Sequence, residues 1–236
     1  MRTLRAANDR GKVAMGWLDS RHTFSFGHYH DPKWMGFGPL RVINEDRVAA
    51  KAGFPPHSHA NMEILSYVLS GALAHQDNAG GGGTIRPGDL QWMSAGHGVE
   101  HSEFNASDSE PVHFLQIWIQ PDRVNAPPAY AQHSFDPAAR RGRWTLLASP
   151  DGAEDSLAIR QQAWLYGALL GAGEAATFAL RAERKYWLHV AQGSVEIDGQ
   201  ALAAGDALGI EQQAGTLNVV GTGDGVADVL LFDLPA

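Results

Sequence analysis

Two short segments constrain this chain more than anything else in it: Gly53-Phe54-Pro55-Pro56-His57-Ser58-His59 and, further along, His101-Ser102-Glu103. Each sets two metal-capable side chains two residues apart. Successive side chains on a β-strand alternate between faces, so residues i and i+2 point the same way. Two such strands facing one interior would aim three imidazoles and one carboxylate at a common point. That is a preformed cage for one divalent transition metal ion, and it makes an enzyme the leading reading. With 27 Gly and 12 Pro punctuating short segments, the chain suits a turn-rich all-β fold.

The segments Leu40–Asn44, Ile64–Leu69, Ala72–Asp77, Leu90–Met93 and Phe114–Gln120 read as strands, with turns at Ser70-Gly71 and Pro87-Gly88-Asp89. Gly80 to Gly83 reads as a flexible hairpin tip. Helical periodicity is sparse, with room for a turn or two over Pro137–Arg143. The absence of Cys excludes disulfides, thiolate nucleophiles and Cys-based metal sites. The N-terminus lacks the apolar region of a signal peptide, and the longest apolar stretch, Trp164–Ala172, is far short of the ~20 residues of a membrane span. A soluble cytoplasmic protein is therefore expected. A net charge of −8 argues against direct nucleic acid binding, and the cluster Arg140-Arg141-Gly142-Arg143 reads as a solvated loop.

Most histidines precede residue 120, so the chemistry belongs to the first half. Pro121–Tyr130 reads as a linker, which divides the chain into residues 1–122, with the metal site, and residues 123–236. The second part is a faint copy of the first: Tyr67–Gly71 matches His189–Gly193 and Pro87-Gly88-Asp89 matches Ala204-Gly205-Asp206. Carried across at the same offsets, the ligand positions land on Ala179, Arg181, Asn218 and Val220. The duplication predicts one metallated and one empty barrel.

The segments Gly53-x3-His57-x-His59-x3-Glu63 and Pro87-Gly88-Asp89 through Gly98-x2-His101 resemble the two motifs of the cupin superfamily. Finer detail resembles the pirin family of bicupins: Gly16-Trp17-Leu18-Asp19-Ser20-x-His22-Thr23-Phe24-Ser25-Phe26, then Met62-Glu63-Ile64-Leu65, then Met93-Ser94-Ala95-Gly96-x-Gly98-x2-His101-Ser102-Glu103. The C-terminal Leu230-Leu231-Phe232-Asp233-Leu234-Pro235 looks like that family's bacterial branch. The resemblance covers nearly the whole chain. It implies two double-stranded β-helix (jelly-roll) barrels in tandem, the C-terminal one degenerate. It also implies quercetin 2,3-dioxygenase-like activity, in which O2 opens a flavonol ring and carbon monoxide is released. Other pirins are metal-dependent regulators of transcription factors, so a metal- or redox-dependent interaction protein is the alternative, with another cupin chemistry on a small enol as the third.

The resemblance assigns His57, His59, His101 and Glu103 as the metal ligands, with Glu103 also the acceptor of a substrate proton. Many cupins take the carboxylate from the position of Glu63, and strand parity does not decide between the two; Glu63 would otherwise hold a supporting hydrogen bond. An N3O donor set accepts iron, which is favoured, and also manganese, cobalt, nickel, copper or zinc, at about 2.0–2.2 Å. A closed structural zinc site is the bland alternative. Trp34, Met35, Phe37, Phe54 and Phe104 are pocket-wall candidates for which core packing is the stronger reading. His22, His28 and His30 read as loop residues outside the cage, and His97 as a support beside His101. His75 reads as solvent-facing and His189 as structural, while His113 and His133 carry no signal.

Overall fold

Alternation decides the architecture. Along Val99–Asn105 the buried residues are Val99, His101, Glu103 and Asn105, with Glu100 and Phe104 exposed between them, the period of a strand with one face inward. The computed structural model describes residues 1–236, and strands and turns make up nearly all of it; the helical pieces are three short 3₁₀ turns at Ala7–Asp9, Pro137–Arg140 and Ala153–Asp155. No helix is long and apolar enough to cross a membrane.

The chain forms two units. The first strand, β1 (Arg2–Arg5), belongs to the C-terminal unit, described below. The N-terminal unit, Gly11–Phe135 with Ile159–Gln161, contains β2 (Gly11–Met15), β3 (Leu18–His22), β4 (Leu40–Val48), β5 (Gly53–His59), β6 (Glu63–Ser70), β7 (Leu73–Asp77), β8 (Gly82–Ile85), β9 (Asp89–Ser94), β10 (Val99–Asn105), β11 (Val112–Ile119) and β12 (Ala129–Ser134). They make a seven-stranded sheet ordered β12-β9-β6-β11-β4-β3-β2 and a four-stranded sheet ordered β5-β10-β7-β8. Leu18, Val48, Val68, Leu73, Ile85, Val112 and Phe114 pack one end of the interior.

The C-terminal unit comprises Met1–Arg10, Asp136–Ala158 and Gln162–Ala236. Besides β1 it holds β13 (Thr145–Ser149), β14 (Leu157–Ala158), β15 (Trp164–Leu170), β16 (Ala175–Leu180), β17 (Arg184–Gln192), β18 (Ser194–Ile197), β19 (Gln200–Ala203), β20 (Ala207–Glu211), β21 (Gly215–Gly221) and β22 (Ala227–Pro235). The same pair of sheets recurs, as β1-β20-β17-β22-β15-β13-β14 and β16-β21-β18-β19. The repeated turns correspond in conformation: Gly71 and Gly193 take φ of +79° and +73°, and Gly88 and Gly205 take +97° and +88°, values that glycine adopts without steric cost. The interior differs. Ala176, Leu180, Tyr186, Leu217, Val219 and Leu231 belong to one large apolar cluster, with Phe178 packed against it. The duplicated barrel is filled with hydrocarbon.

The structure divides the chain elsewhere than at 122/123. Strand β12 pairs with β9 from Ala129↔Ser94 to Ser134↔Asp89, so the N-terminal unit runs to Phe135. The proline-rich segment before it is fastened down by His97 N–H to Ala126 O (2.8 Å) and Asn125 N–H to Asn61 Oδ1 (2.7 Å). At the other end, β1 pairs with β20 from Arg2↔Ile210 to Arg5↔Ala207. Two smaller readings also change. Gly82 and Gly83 begin β8, opposite Gln76 and His75; at Gly83 a Cβ would come within 2.2 Å of Gln132 Oε1, so the glycine there makes room for a neighbouring strand. Arg140 is buried and bonded through Nη2 to Asp228 Oδ1 at 2.7 Å, not solvated.

Candidate metal centre

The two histidine segments form neighbouring strands. In β5 and β10 His57 stands opposite His101, and His59 stands opposite Val99. Between His101 and Glu103 the register slips, with Phe54 rather than Pro55 opposite Glu103. Pro55 and Pro56 sit at that bulge, on a strand at the sheet edge, where a missing N–H costs no ladder bond. A Cβ on Gly53 would lie 2.4 Å from the Glu103 carbonyl oxygen, so only glycine lets the strands close here.

The imidazole centroids are 4.4 Å apart for His57–His101, 4.8 Å for His57–His59 and 4.9 Å for His59–His101. One ligand atom from each ring lies within 4.8 Å of those of the other two. His57 Nδ1 is 2.8 Å from the Pro55 carbonyl oxygen, to which it donates, and this leaves Nε2 as the free lone pair. His101 Nδ1 is 3.3 Å from His75 Nδ1, and His101 Nε2 is buried with no hydrogen-bond partner. Burial, with His57 beside it, lowers His59 to about 4; burial, with His57, His59 and His75 around it, lowers His101 to about 2. Both rings are neutral at pH 7, the state a cation requires of an imidazole ligand. An orphaned buried nitrogen among three converging imidazoles fits one divalent metal ion.

Glu103 is fully buried next to this group and clusters with His101 and His75. Its Oε1 accepts from Ser66 Oγ at 3.0 Å and its Oε2 from Gln116 Nε2 at 2.7 Å. Burial raises its carboxyl to about 7, tempered by Ser66 and Gln116 and added to by the Asp46 charge. Glu63 is placed differently. It accepts from Trp92 Nε1 (2.8 Å), Ser94 Oγ (2.5 Å) and the Arg160 backbone N–H (2.9 Å). It lies on the opposite face of β6 from Ser66, which meets Glu103.

The expectation for His75 is overturned. Its side chain is wholly buried, stacked on Tyr130 at 5.0 Å, with Nε2 3.2 Å from Asp77 Oδ2. Asp77, His75 and His101 thus form a file ending at the orphaned Nε2, a carboxylate–imidazole arrangement of the kind that orients metal ligands. His97 is exposed and gives no such support.

His57 and His59, with Glu103, form one wall of a cavity of about 240 Å³. Leu18, Phe26, Phe54 and Trp118 supply apolar walls, and Met15 and His28 stand at exposed positions on its lining. Of the aromatic candidates only Phe54 lines it; Trp34 and Phe37 are half-buried elsewhere, and Met35 and Phe104 are exposed. His22 is buried on the lining, while His30 is exposed. The opposite wall was not anticipated. Ser20, His22, Asn44 and Asp46 line it from adjacent strands β3 and β4, where His22 pairs with Asn44 and Ser20 with Asp46. The spacing i, i+2 that singled out the ligands recurs in Ser20/His22, Asn44/Asp46 and His75/Asp77, and it was the available signal for all three.

Burial pushes the Asp46 carboxyl up to about 7; the nearby Ser20 hydroxyl tempers the rise and the Glu45 charge adds to it. Its value in the unfolded chain is near 3.8, so the unfolded state releases this proton first as pH rises. The stability that Asp46 contributes is therefore greatest below about 4 and declines until about 7. Asp46→Asn removes that decline. In urea titrations of the metal-free protein, the variant is expected to gain on wild type between pH 4 and 7.5 by on the order of 3–4 kcal/mol. A difference independent of pH would refute the assignment.

Comparison with known proteins is consistent over both units. The model of the family described as Pirin matches residues 3–119, and that described as quercetinase C-terminal cupin domain matches residues 146–234. The chain is 45% identical over 233 residues to a quercetin 2,3-dioxygenase of Escherichia coli, covering 98% of each chain. It is 45% identical over 206 residues to a pirin-like protein of Caulobacter vibrioides, covering 86% of this chain and 88% of that one. Among solved structures, a bacterial pirin from Escherichia coli in complex with nickel(II) superimposes with a TM-score of 0.92 at 43% identity, covering 100% of this chain and 99% of that one.

Proposed function

This chain belongs to the pirin family, and from that premise we propose that it is a metal-dependent dioxygenase of the quercetin 2,3-dioxygenase kind, taking a flavonol and O2. The observation that carries the reading is the setting of the three imidazoles. Two of them, His57 and His59, line with Glu103 a recessed, largely apolar cavity rather than a surface, which favours a small flat substrate over a docked protein.

In this reading His57, His59, His101 and Glu103 hold one divalent ion. When bound, that ion supplies a Lewis acid that acidifies the flavonol hydroxyl and a site for O2 chemistry. The remaining work falls to the protein. The His57 tautomer is held by the Pro55 carbonyl, and the His101 ring is held by His75. Phe26, Phe54 and Trp118 flank the cavity and keep water from the reacting ring. Glu103 receives the substrate hydroxyl proton on a carboxylate oxygen. Gln116 and Ser66 keep the carboxyl aimed as the proton arrives. Both atoms of O2 enter the opened product, and one ring carbon leaves as carbon monoxide.

The test is nickel(II)-loaded protein with quercetin in a closed oxygen electrode, with carbon monoxide trapped by reduced haemoglobin. Oxygen uptake matched by carbon monoxide release is expected, with both lost after chelation. If the protein loaded in turn with nickel, iron, manganese, cobalt and copper never exceeds quercetin autoxidation, the reading fails.

A further inference from the structure

One registered line of polar residues crosses the seven-stranded sheet of the N-terminal unit. Directly opposite partners share a face, and the pairings run Gln132–Gln91–Ser66–Gln116–Asn44–His22. Part of this line is accounted for. Ser66 and Gln116 hold Glu103, and Gln91 and Gln132 both meet the Tyr130 hydroxyl. The part over the cavity is not. Ser20, His22, Asn44 and Asp46 are 1%, 6%, 4% and 4% exposed. His22 Nδ1, Asn44 Oδ1 and Asp46 Oδ1 are each buried without a hydrogen-bond partner, while the Ser20 hydroxyl turns to the Asp46 carboxyl, and all four residues line the cavity that His57, His59 and Glu103 also line.

Such a cluster is costly. An unpaired buried polar group forfeits its hydration, and three on two adjacent strands call for a partner. The atoms also share a chemical sense. The interaction of His22 with the Phe26 backbone carbonyl uses its other nitrogen, which leaves Nδ1 as an acceptor. Asn44 Oδ1 is an acceptor, the Asp46 carboxyl keeps an accepting oxygen whether or not it is protonated, and the Ser20 hydroxyl serves either way. The wall therefore asks for hydrogen-bond donors. The neighbouring walls, Phe26, Phe54 and Trp118, ask for a flat apolar body, with Trp118 Nε1 as an unpaired donor on that side.

We propose that Ser20, His22, Asn44 and Asp46 form an acceptor subsite that selects substrates carrying phenolic hydroxyls on the ring remote from the metal-chelating edge. This deepens the flavonol reading and rests on it. It makes the specificity-determining contacts those of β3 and β4, on the sheet opposite the ligand strands. A polyhydroxylated flavonol satisfies both sides of the cavity, whereas one hydroxylated only at its chelating edge satisfies one.

Anaerobic calorimetry on nickel(II)-loaded protein tests this with quercetin and 3-hydroxyflavone, which differ in their remote hydroxyls. Wild type is expected to prefer quercetin about tenfold, the worth of one or two net hydrogen bonds. In Asn44→Leu and in Asp46→Leu that preference falls toward one. Both variants are near-isosteric and remove an unsatisfied group, so each is expected to raise Tm. A preference below twofold in wild type, or one that survives in both variants, overturns the proposal; so does a fall in Tm with the preference unchanged, which assigns the residues to the fold. If neither flavonol binds, the flavonol reading falls, and resorcinol on metal-free protein decides the subsite by saturation-transfer NMR. A signal that Asn44→Leu abolishes keeps the acceptor wall; an absent or unaltered signal removes it.

Discussion

His101→Ala is expected to give a folded protein that holds no metal and opens no flavonol ring. His101 completes a triangle with the other two rings, 4.4 Å from His57 and 4.9 Å from His59, and it is the group whose Nε2 is buried and unpaired. Losing an outer partner of a metal ligand costs about 10–100-fold in affinity, and losing the ligand itself costs more, so metal should be absent after gel filtration. Folding should suffer little. The side chain contributes one contact to His75 and no other hydrogen bond, and its truncation falls within the ~1–3 kcal/mol common for buried substitutions. Elemental analysis, circular dichroism and oxygen uptake check the three parts separately. Stoichiometric metal in the variant would remove His101 from the ligand set.

Glu103→Gln is expected to separate metal retention from catalysis. The amide matches the carboxyl in size, and the Gln116 amide, by turning over, continues to bond with it. The three imidazoles stay where they are. Metal affinity should fall by more than the ~10–100-fold that an outer partner is worth, with the three imidazoles keeping the site loadable at millimolar nickel. Turnover should fall by about 10²–10⁴-fold, the usual worth of a positioned proton acceptor. The anaerobic complex offers a direct sign: wild type should bind the flavonol with the absorption band of its anion at neutral pH, and the variant should bind it protonated. An anion band of equal strength in both would move the acceptor role to another group.

Much of this arrangement is legible in the chain because a strand has a short period. Histidines at 57 and 59 must share a face, and the all-β reading, the paired barrels and their corresponding turns follow from spacing and glycine placement. What escaped depends on register between strands, which no single segment contains. His75 reads as an ordinary polar residue until β7 is laid against β10, where it falls opposite Glu103 and beside His101. The line from Gln132 to His22 exists only once the sheet is assembled. The boundary was misplaced for a related reason. Prolines at 121, 127 and 128 look like a linker, yet backbone groups at Asn125, Ala126 and Pro127 are all bonded into the N-terminal unit, Pro127 O to Arg160 Nη1 at 2.7 Å.

The pairing of Arg2–Arg5 with Ala207–Glu211 bears on how the molecule is made. A ribosome delivers those residues early and their partner strand late, so they must remain unclaimed while the whole metal-binding barrel emerges and closes. The duplicated barrel becomes complete only after nearly all of the polypeptide exists, which makes its assembly a late, long-range event governed by contact order rather than by local preference.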